Sequence, residues 1–208
     1  MYKIAAQTQG AEVISVIRIA GDGFRLDRQA VRDTLQENHQ IKLVFLTSPN
    51  NPTGEVIDTD FLQELLQLTR NRSIVVLDEA YAEFCEHPSA TPLVEEFEHL
   101  VVLRTLSKAW ASAGLRCGAV IARPEVISLL RRIIAPYPLP SPVVDLALRM
   151  LEKKVLKKQK KSLKQLRANK RFLLEALRDM SFIREILPGE ANFVLIRVDN
   201  PDAVLAFC

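Results

Sequence analysis

The stretch Thr105-Leu106-Ser107-Lys108-Ala109-Trp110-Ala111-Ser112-Ala113-Gly114-Leu115-Arg116 sets an amine, hydroxyls and a guanidinium within twelve residues. It follows an apolar run, Leu100 to Leu103, that reads as a buried strand. Lys108 is therefore expected just past a strand end, where open α/β sheets place their ligands. A lysine in a desolvated position there can attack a carbonyl. Arg116, with Thr105 and Ser107, can hold a phosphate, because the guanidinium offers a planar donor fork and the hydroxyls add hydrogen bonds. Read alone, Lys108 is an ordinary surface lysine after a strand; its company argues otherwise.

Leu43 to Thr47 reads as a strand and runs into Ser48-Pro49-Asn50-Asn51-Pro52-Thr53-Gly54. Ile74 to Leu77 reads as another and ends at Asp78-Glu79-Ala80-Tyr81. In a parallel sheet such ends lie on one edge and converge. An aldehyde cofactor carrying a phosphate would need both the amine and the anion cradle, and pyridoxal 5'-phosphate is such a cofactor. Its ring acts as an electron sink when an acid keeps the pyridine nitrogen protonated. Asp78 suits that role, and Asn51 and Tyr81 can hydrogen-bond the phenolic oxygen. Each has a bland alternative: a turn for the Asn/Pro/Gly loop, a helix cap for Asp78, a packing aromatic for Tyr81.

The order SPNNPTG, DEAYAEF, TLSKAWASAGLRCG resembles the fold-type I pyridoxal-phosphate enzymes, class II aminotransferases. The APYPL run, Ala135 to Leu139, is similar to the histidinol-phosphate aminotransferase branch of that family. The resemblance implies Lys108 as the lysine that carries the cofactor and Asp78 on the pyridine nitrogen. It implies Asn51 and Tyr81 on the ring oxygen, and Ser107 and Arg116, with Thr105 as a further contact, on the phosphate. It implies amino transfer between histidinol phosphate and 2-oxoglutarate in histidine biosynthesis, and a site built across a homodimer interface. Two rivals remain: another enzyme of this fold, such as an aromatic or aspartate aminotransferase or a threonine-phosphate decarboxylase, and a non-catalytic remnant. The resembled enzymes are longer at both ends. They carry a ring-stacking aromatic before this stretch and a substrate-carboxylate arginine after it, and Arg197 does not match the latter. The expectation is a piece truncated at both ends.

The expected fold is α/β: a large domain over residues 1–140 with a mostly parallel sheet flanked by helices, then an interdomain helix and the start of a small domain over 141–208. Asp27 can cap a helix to about Asn38, and Asp58 or Thr59 one to about Arg70 whose Phe61, Leu62, Leu65 and Leu66 form an apolar face. Strand, helix and strand then make a βαβ unit. Residues 1–10 read as a helix, Val13 to Ile19 as an alternating strand, and 83–99 as a loop with a short helix. Gly118 to Ala122 reads as a strand, Pro124 to Ile134 as a helix, and the proline-rich 135–142 as a stiff connector. Val143 to about Met180 is helical with one break, and Asn192 to Val198 is a strand. Pro49 and Pro52 are candidates for cis peptides.

Of 208 residues, 48% are hydrophobic and 25% charged, which suits a soluble globular chain with a sizeable core. A net charge of +3 gives no reason to expect nucleic acid or membrane partners. Seven lysines without an acid between 153 and 164 read as a solvated helix face. The start lacks the apolar stretch of a signal peptide, and the three cysteines are far apart, which points to reduced thiols in a cytoplasm. His39, His87 and His99 show no metal-ligand spacing along the chain and read as structural or solvated. Gly21-Asp22-Gly23 lacks the third glycine of a dinucleotide fingerprint, and Gly54 precedes Glu55, not the lysine of a Walker loop.

Overall fold

A computed structural model describes residues 1–207. Helix α1 spans Tyr2–Thr8 and α2 Arg28–Glu37, and strand β1 spans Leu43–Thr47. Helix α3 (Thr59–Thr69) leads to β2 (Ile74–Asp78), β3 (Leu100–Thr105) and β4 (Gly118–Ile121). Helices α4 (Pro124–Arg131), α5 (Ser141–Met150) and α6 (Lys153–Arg178) follow, then β5 (Ile183–Leu187), β6 (Leu195–Val198) and α7 (Pro201–Phe207). The main sheet has the order β1-β2-β3-β4, parallel across the first three strands and antiparallel at β4. A separate antiparallel pair joins β5 to β6.

Helix starts follow local chemistry. The Asp27 carboxylate accepts the Ala30 N–H at 2.9 Å and the Asp58 carboxylate accepts the Phe61 N–H at 2.9 Å, each satisfying a donor that the first turn leaves free. Helix α3 turns Phe61, Leu62, Leu65 and Leu66 inward, where they meet Val75, Leu77, Leu100, Val102 and Phe97, with Val31 and Leu35 of α2 beside them. Strand β2 is buried on both faces, as its unbroken apolar run requires. Strand β1 exposes Leu43 and Phe45 on one face, and Tyr2 of α1 stacks on Phe45 at 4.7 Å between ring centroids.

The C-terminal segment closes against the main sheet at two glycines. A Cβ on Gly189 would lie 2.5 Å from Thr53 O, and one on Gly54, at φ +72°, would lie 2.8 Å from Gly189 Cα. Only bare backbone fits there, and it lets the Glu190 N–H donate to Gly54 O at 2.8 Å. Lys170 holds the same segment from α6, its Nζ donating to Gly189 O at 2.5 Å and Ala191 O at 2.6 Å.

Several sequence expectations shift. Residues 13–19 form no strand; their alternation meets only an isolated bridge, Ile19 to Arg25, because no neighbouring strand runs beside them. The strand expected from Asn192 starts at Leu195, since Phe193 leaves the pleat to pack edge-on against Tyr81 at 5.2 Å. Helix α4 ends at Arg131, and residues 82–99 hold two short 3-10 turns, Ala82–Phe84 and Thr91–Glu95. Others hold as expected: the long helical region is broken at Leu151-Glu152, the seven lysines face solvent while Val155, Leu156 and Leu163 are partly covered, and the peptides before Pro49 and Pro52 are cis. Among the described residues no helix is long and apolar enough to cross a membrane.

Leu65 has no exposed surface, whereas Leu148 is 61% exposed. Leu65→Ala should therefore lower stability by about 2–5 kcal/mol, from lost burial plus the cavity left behind. Leu148→Ala should change it by less than about 0.5 kcal/mol. Urea denaturation of the two variants measures the contrast.

Candidate active site at the strand ends

The parallel register places the polar stretches. Thr47 pairs with Asp78 and Asp78 with Leu103, so β1 and β2 end level with one another and β3 runs two residues further, to Thr105. The Ser48 N–H donates to Asp78 O at 2.9 Å and the Glu79 N–H to Leu103 O at 3.0 Å, carrying the alignment one residue past each strand. The Asn51 loop, the Asp78 turn and the Lys108 loop therefore leave the sheet on the same edge.

There the structure brings Asn51, Tyr81 and Lys108 into contact, and Asp78 lies on the same edge without touching them. Asn51 Nδ2 donates to the Tyr81 hydroxyl at 3.0 Å. Lys108 Nζ stands over the Tyr81 ring, 5.1 Å from its centroid, a cation–π distance. Asp78 is half-buried, and its Oδ1 accepts the Ala80 N–H at 2.8 Å. Thr105 and Ser107 form a second cluster: their hydroxyl oxygens are 3.0 Å apart, and the Ser107 N–H donates to Thr105 Oγ1 at 3.1 Å.

Arg116 is not engaged with those hydroxyls. It sits in the left-handed region at φ 50°, is exposed, and donates from Nη1 to Ala113 O at 2.9 Å on its own loop. Lys108 is also exposed rather than desolvated, although the Tyr81 ring covers one side of it. Ala111, at φ 51°, is a second left-handed residue in this loop, a backbone state that costs energy without glycine and recurs at functional sites.

Two features escaped the sequence reading. The first is Tyr2, whose hydroxyl donates to Asp78 Oδ2. Burial, then the hydrogen bond and charge of Asp78, hold the Tyr2 phenol well above its usual range. The second is a network under the site. Arg104 donates to Glu79 at 3.2 Å, Ser89 Oγ at 3.3 Å and Glu83 at 2.7 Å, and Trp110 Nε1 donates to the same Glu83 oxygen at 3.3 Å. Glu79 is 3% exposed and also accepts the Ala90 N–H at 2.7 Å and the Ser89 hydroxyl. The Glu83 carboxylate thus ties the stretch after Asp78 both to Arg104 of β3 and to Trp110 of the Lys108 loop. Glu79 and Glu83 lie within the DEAYAEF stretch, but nothing along the chain marks Arg104 as their partner.

Comparison with known proteins matches residues 1–208 to the model of the aminotransferase class I and II family. The chain belongs to the class I and II aminotransferases. The histidinol-phosphate aminotransferase of Cronobacter sakazakii is 43% identical over 204 residues, covering 98% of this chain and 55% of that protein. This aminotransferase chain thus spans about half the length of the curated relatives it matches. The histidinol-phosphate aminotransferase structure from Clostridium acetobutylicum shares its fold at a TM-score of 0.88 and 23% identity, over 99% of this chain and 63% of that one. The one from Sinorhizobium meliloti, solved in complex with pyridoxal-5'-phosphate, shares it at a TM-score of 0.82 and 22% identity, over 97% and 53%. The fold-type I aminotransferase architecture expected from the sequence is the one observed.

Two measurements test the site's supports. Arg104→Ala leaves Glu79 buried without its counter-charge and should cost about 3 kcal/mol or more in urea denaturation. Arg104→Lys should recover only part, because a point charge cannot bridge both carboxylates. Tyr2 keeps its proton in the folded chain above about pH 10, where the unfolded chain loses it. Stability from this group is present below that pH and falls as pH rises through the folded value. Tyr2→Phe should flatten the alkaline fall in the urea midpoint.

Proposed function

We propose that this chain is the cofactor-binding part of a pyridoxal-phosphate aminotransferase that moves an amino group between histidinol phosphate and 2-oxoglutarate. The observation that carries the reading is the convergence of Asn51, Asp78, Tyr81 and Lys108 on one edge of a parallel sheet. The donor set fits the group. An ionised carboxylate has about four lone-pair sites. Asp78 therefore has capacity left for a ring N–H beyond what Ala80 and Tyr2 use. Asn51 and Tyr81 offer a hydrogen-bonded pair to a phenolic oxygen, Thr105 and Ser107 paired hydroxyls to a phosphate, and Arg116 a guanidinium on the same loop.

When bound, the cofactor supplies an aldehyde that condenses with amines and a ring that takes up the electron pair left by a departing α-proton. The protein's own part is positional and proton-moving. Asp78 holds a proton on the ring nitrogen, Asn51 and Tyr81 orient the ring through its oxygen, and Lys108 Nζ, once free, takes the α-proton and returns it. Residues 1–140 form the cofactor-binding large part, and 141–208 the interdomain helix and the start of a smaller domain. The substrate assignment is supported by 43% identity to a histidinol-phosphate aminotransferase. In this reading the whole protein is a cytoplasmic homodimer.

The chain mixed with pyridoxal 5'-phosphate and reduced with borohydride should retain the cofactor on Lys108, located by peptide mass spectrometry. Lys108→Ala should retain none at that peptide. Label spread over the α6 lysines, with none on Lys108, contradicts the reading. In a separate, unreduced sample, histidinol phosphate should perturb the bound cofactor's absorbance at lower concentration than aspartate or phenylalanine does.

A further inference from the structure

Three side chains outside the strand-end site meet where the C-terminal segment crosses the loop that follows Tyr81. Cys85 Sγ lies 2.8 Å from Glu190 Oε2 and 3.7 Å from His87 Nδ1, and His87 Nδ1 lies 2.8 Å from Glu190 Oε1. One ligating atom from each of the three falls within 4.8 Å of the others. Metal–sulfur bonds of about 2.3 Å and metal–nitrogen or metal–oxygen bonds of about 2.0 Å in a tetrahedron place ligand atoms roughly 3.3–3.6 Å apart. Shifts of under about 1 Å would bring this set to that spacing.

The backbone that carries the three donors is already held. Arg167 of α6 donates to the carbonyls of Glu83, Phe84 and Cys85 at 3.2, 3.2 and 3.1 Å. On the other side, Lys170 fixes Gly189 and Ala191, and the Glu190 N–H is bonded to Gly54. Within the cluster the His87 N–H donates to Cys85 Sγ at 3.3 Å and the Glu86 N–H to Glu190 Oε2 at 3.0 Å. Such outer contacts orient ligands and are half of a metal site's construction. The side chains of His87 and Glu190 are 54% and 34% exposed, so an ion has a way in and solvent can fill a fourth position.

We propose that Cys85, His87 and Glu190 form a three-ligand site for a zinc-class divalent cation, distinct from the strand-end site. The donor set decides the class. A thiolate beside an imidazole and a carboxylate suits zinc, while magnesium and calcium require oxygen ligands throughout. Binding exchanges the thiol proton, released to solvent, for the metal. The ion joins the 85–87 loop to residue 190, so occupancy stabilises the docking of the C-terminal segment on the main sheet.

Cobalt(II) is a suitable probe, because a cobalt–thiolate bond absorbs where the unligated ion does not. One equivalent added to the full chain should produce a thiolate charge-transfer band in the difference spectrum, bleached by zinc and untouched by magnesium. Cys85→Ser should abolish the band although Cys117 and Cys208 remain. His87→Ala and Glu190→Gln should each weaken zinc binding at least about tenfold. His87 is an exposed side chain whose loss leaves the core intact, so the inference survives a poorly folding cysteine variant as a testable one. No cobalt band in the wild-type chain, a band that persists in Cys85→Ser, or zinc affinity unchanged in His87→Ala would each overturn it.

Discussion

The register between β1, β2 and β3 is the constraint on which the rest depends. Side-chain direction in a strand has a period of two, so slipping β2 by one residue would turn Asp78 to the opposite face and break its alignment with Thr47 and Leu103. What fixes the register is burial. Val75, Leu77, Leu100 and Val102 fit beneath the apolar face of α3, and any slip exposes them. The core thus determines that the three loops leave the sheet on one edge, and the polar chemistry follows from that alignment.

The loops are then secured by charge rather than by apolar packing. Arg104 of β3 sits between Glu79 and Glu83, and Glu83 in turn accepts Trp110 from the loop carrying Lys108. Farther out, Lys170 and the Gly54–Gly189 contact hold the C-terminal segment against the Asn51 loop, and Arg167 holds the loop after Tyr81. Phe193 reaches Tyr81 through that contact, so a residue far along the chain touches the strand-end site. The site is positioned from below by the sheet and from the side by α6.

Much of this was legible in the sequence because it rests on local signals. The caps Asp27 and Asp58, the apolar spacing of Phe61 to Leu66 and the polar stops after each strand all act within a few residues. From these the βαβ order follows, and with it the exit of the Asn51, Asp78 and Lys108 stretches on one edge of the sheet. What was not legible depends on partners distant in sequence. Tyr2 is 76 residues from Asp78, and Glu190 is over a hundred from Cys85. Residues 13–19 alternate as a strand would, but pairing requires a neighbour, and alternation alone does not supply one. Arg116 illustrates the same limit: sequence order places it near Ser107, while its guanidinium is directed to its own loop.

The central claim is that the ends of three parallel strands, on one edge of the sheet, make one site for an aldehyde-bearing, phosphorylated pyridine ring. A crystal structure of this chain soaked with pyridoxal 5'-phosphate tests it most directly. The account predicts the ring nitrogen within hydrogen-bond distance of the Asp78 carboxylate, the ring oxygen facing Asn51 and Tyr81, and the phosphate at Thr105 and Ser107. A ring bound with its nitrogen away from Asp78, or bound only among the α6 lysines, would contradict it.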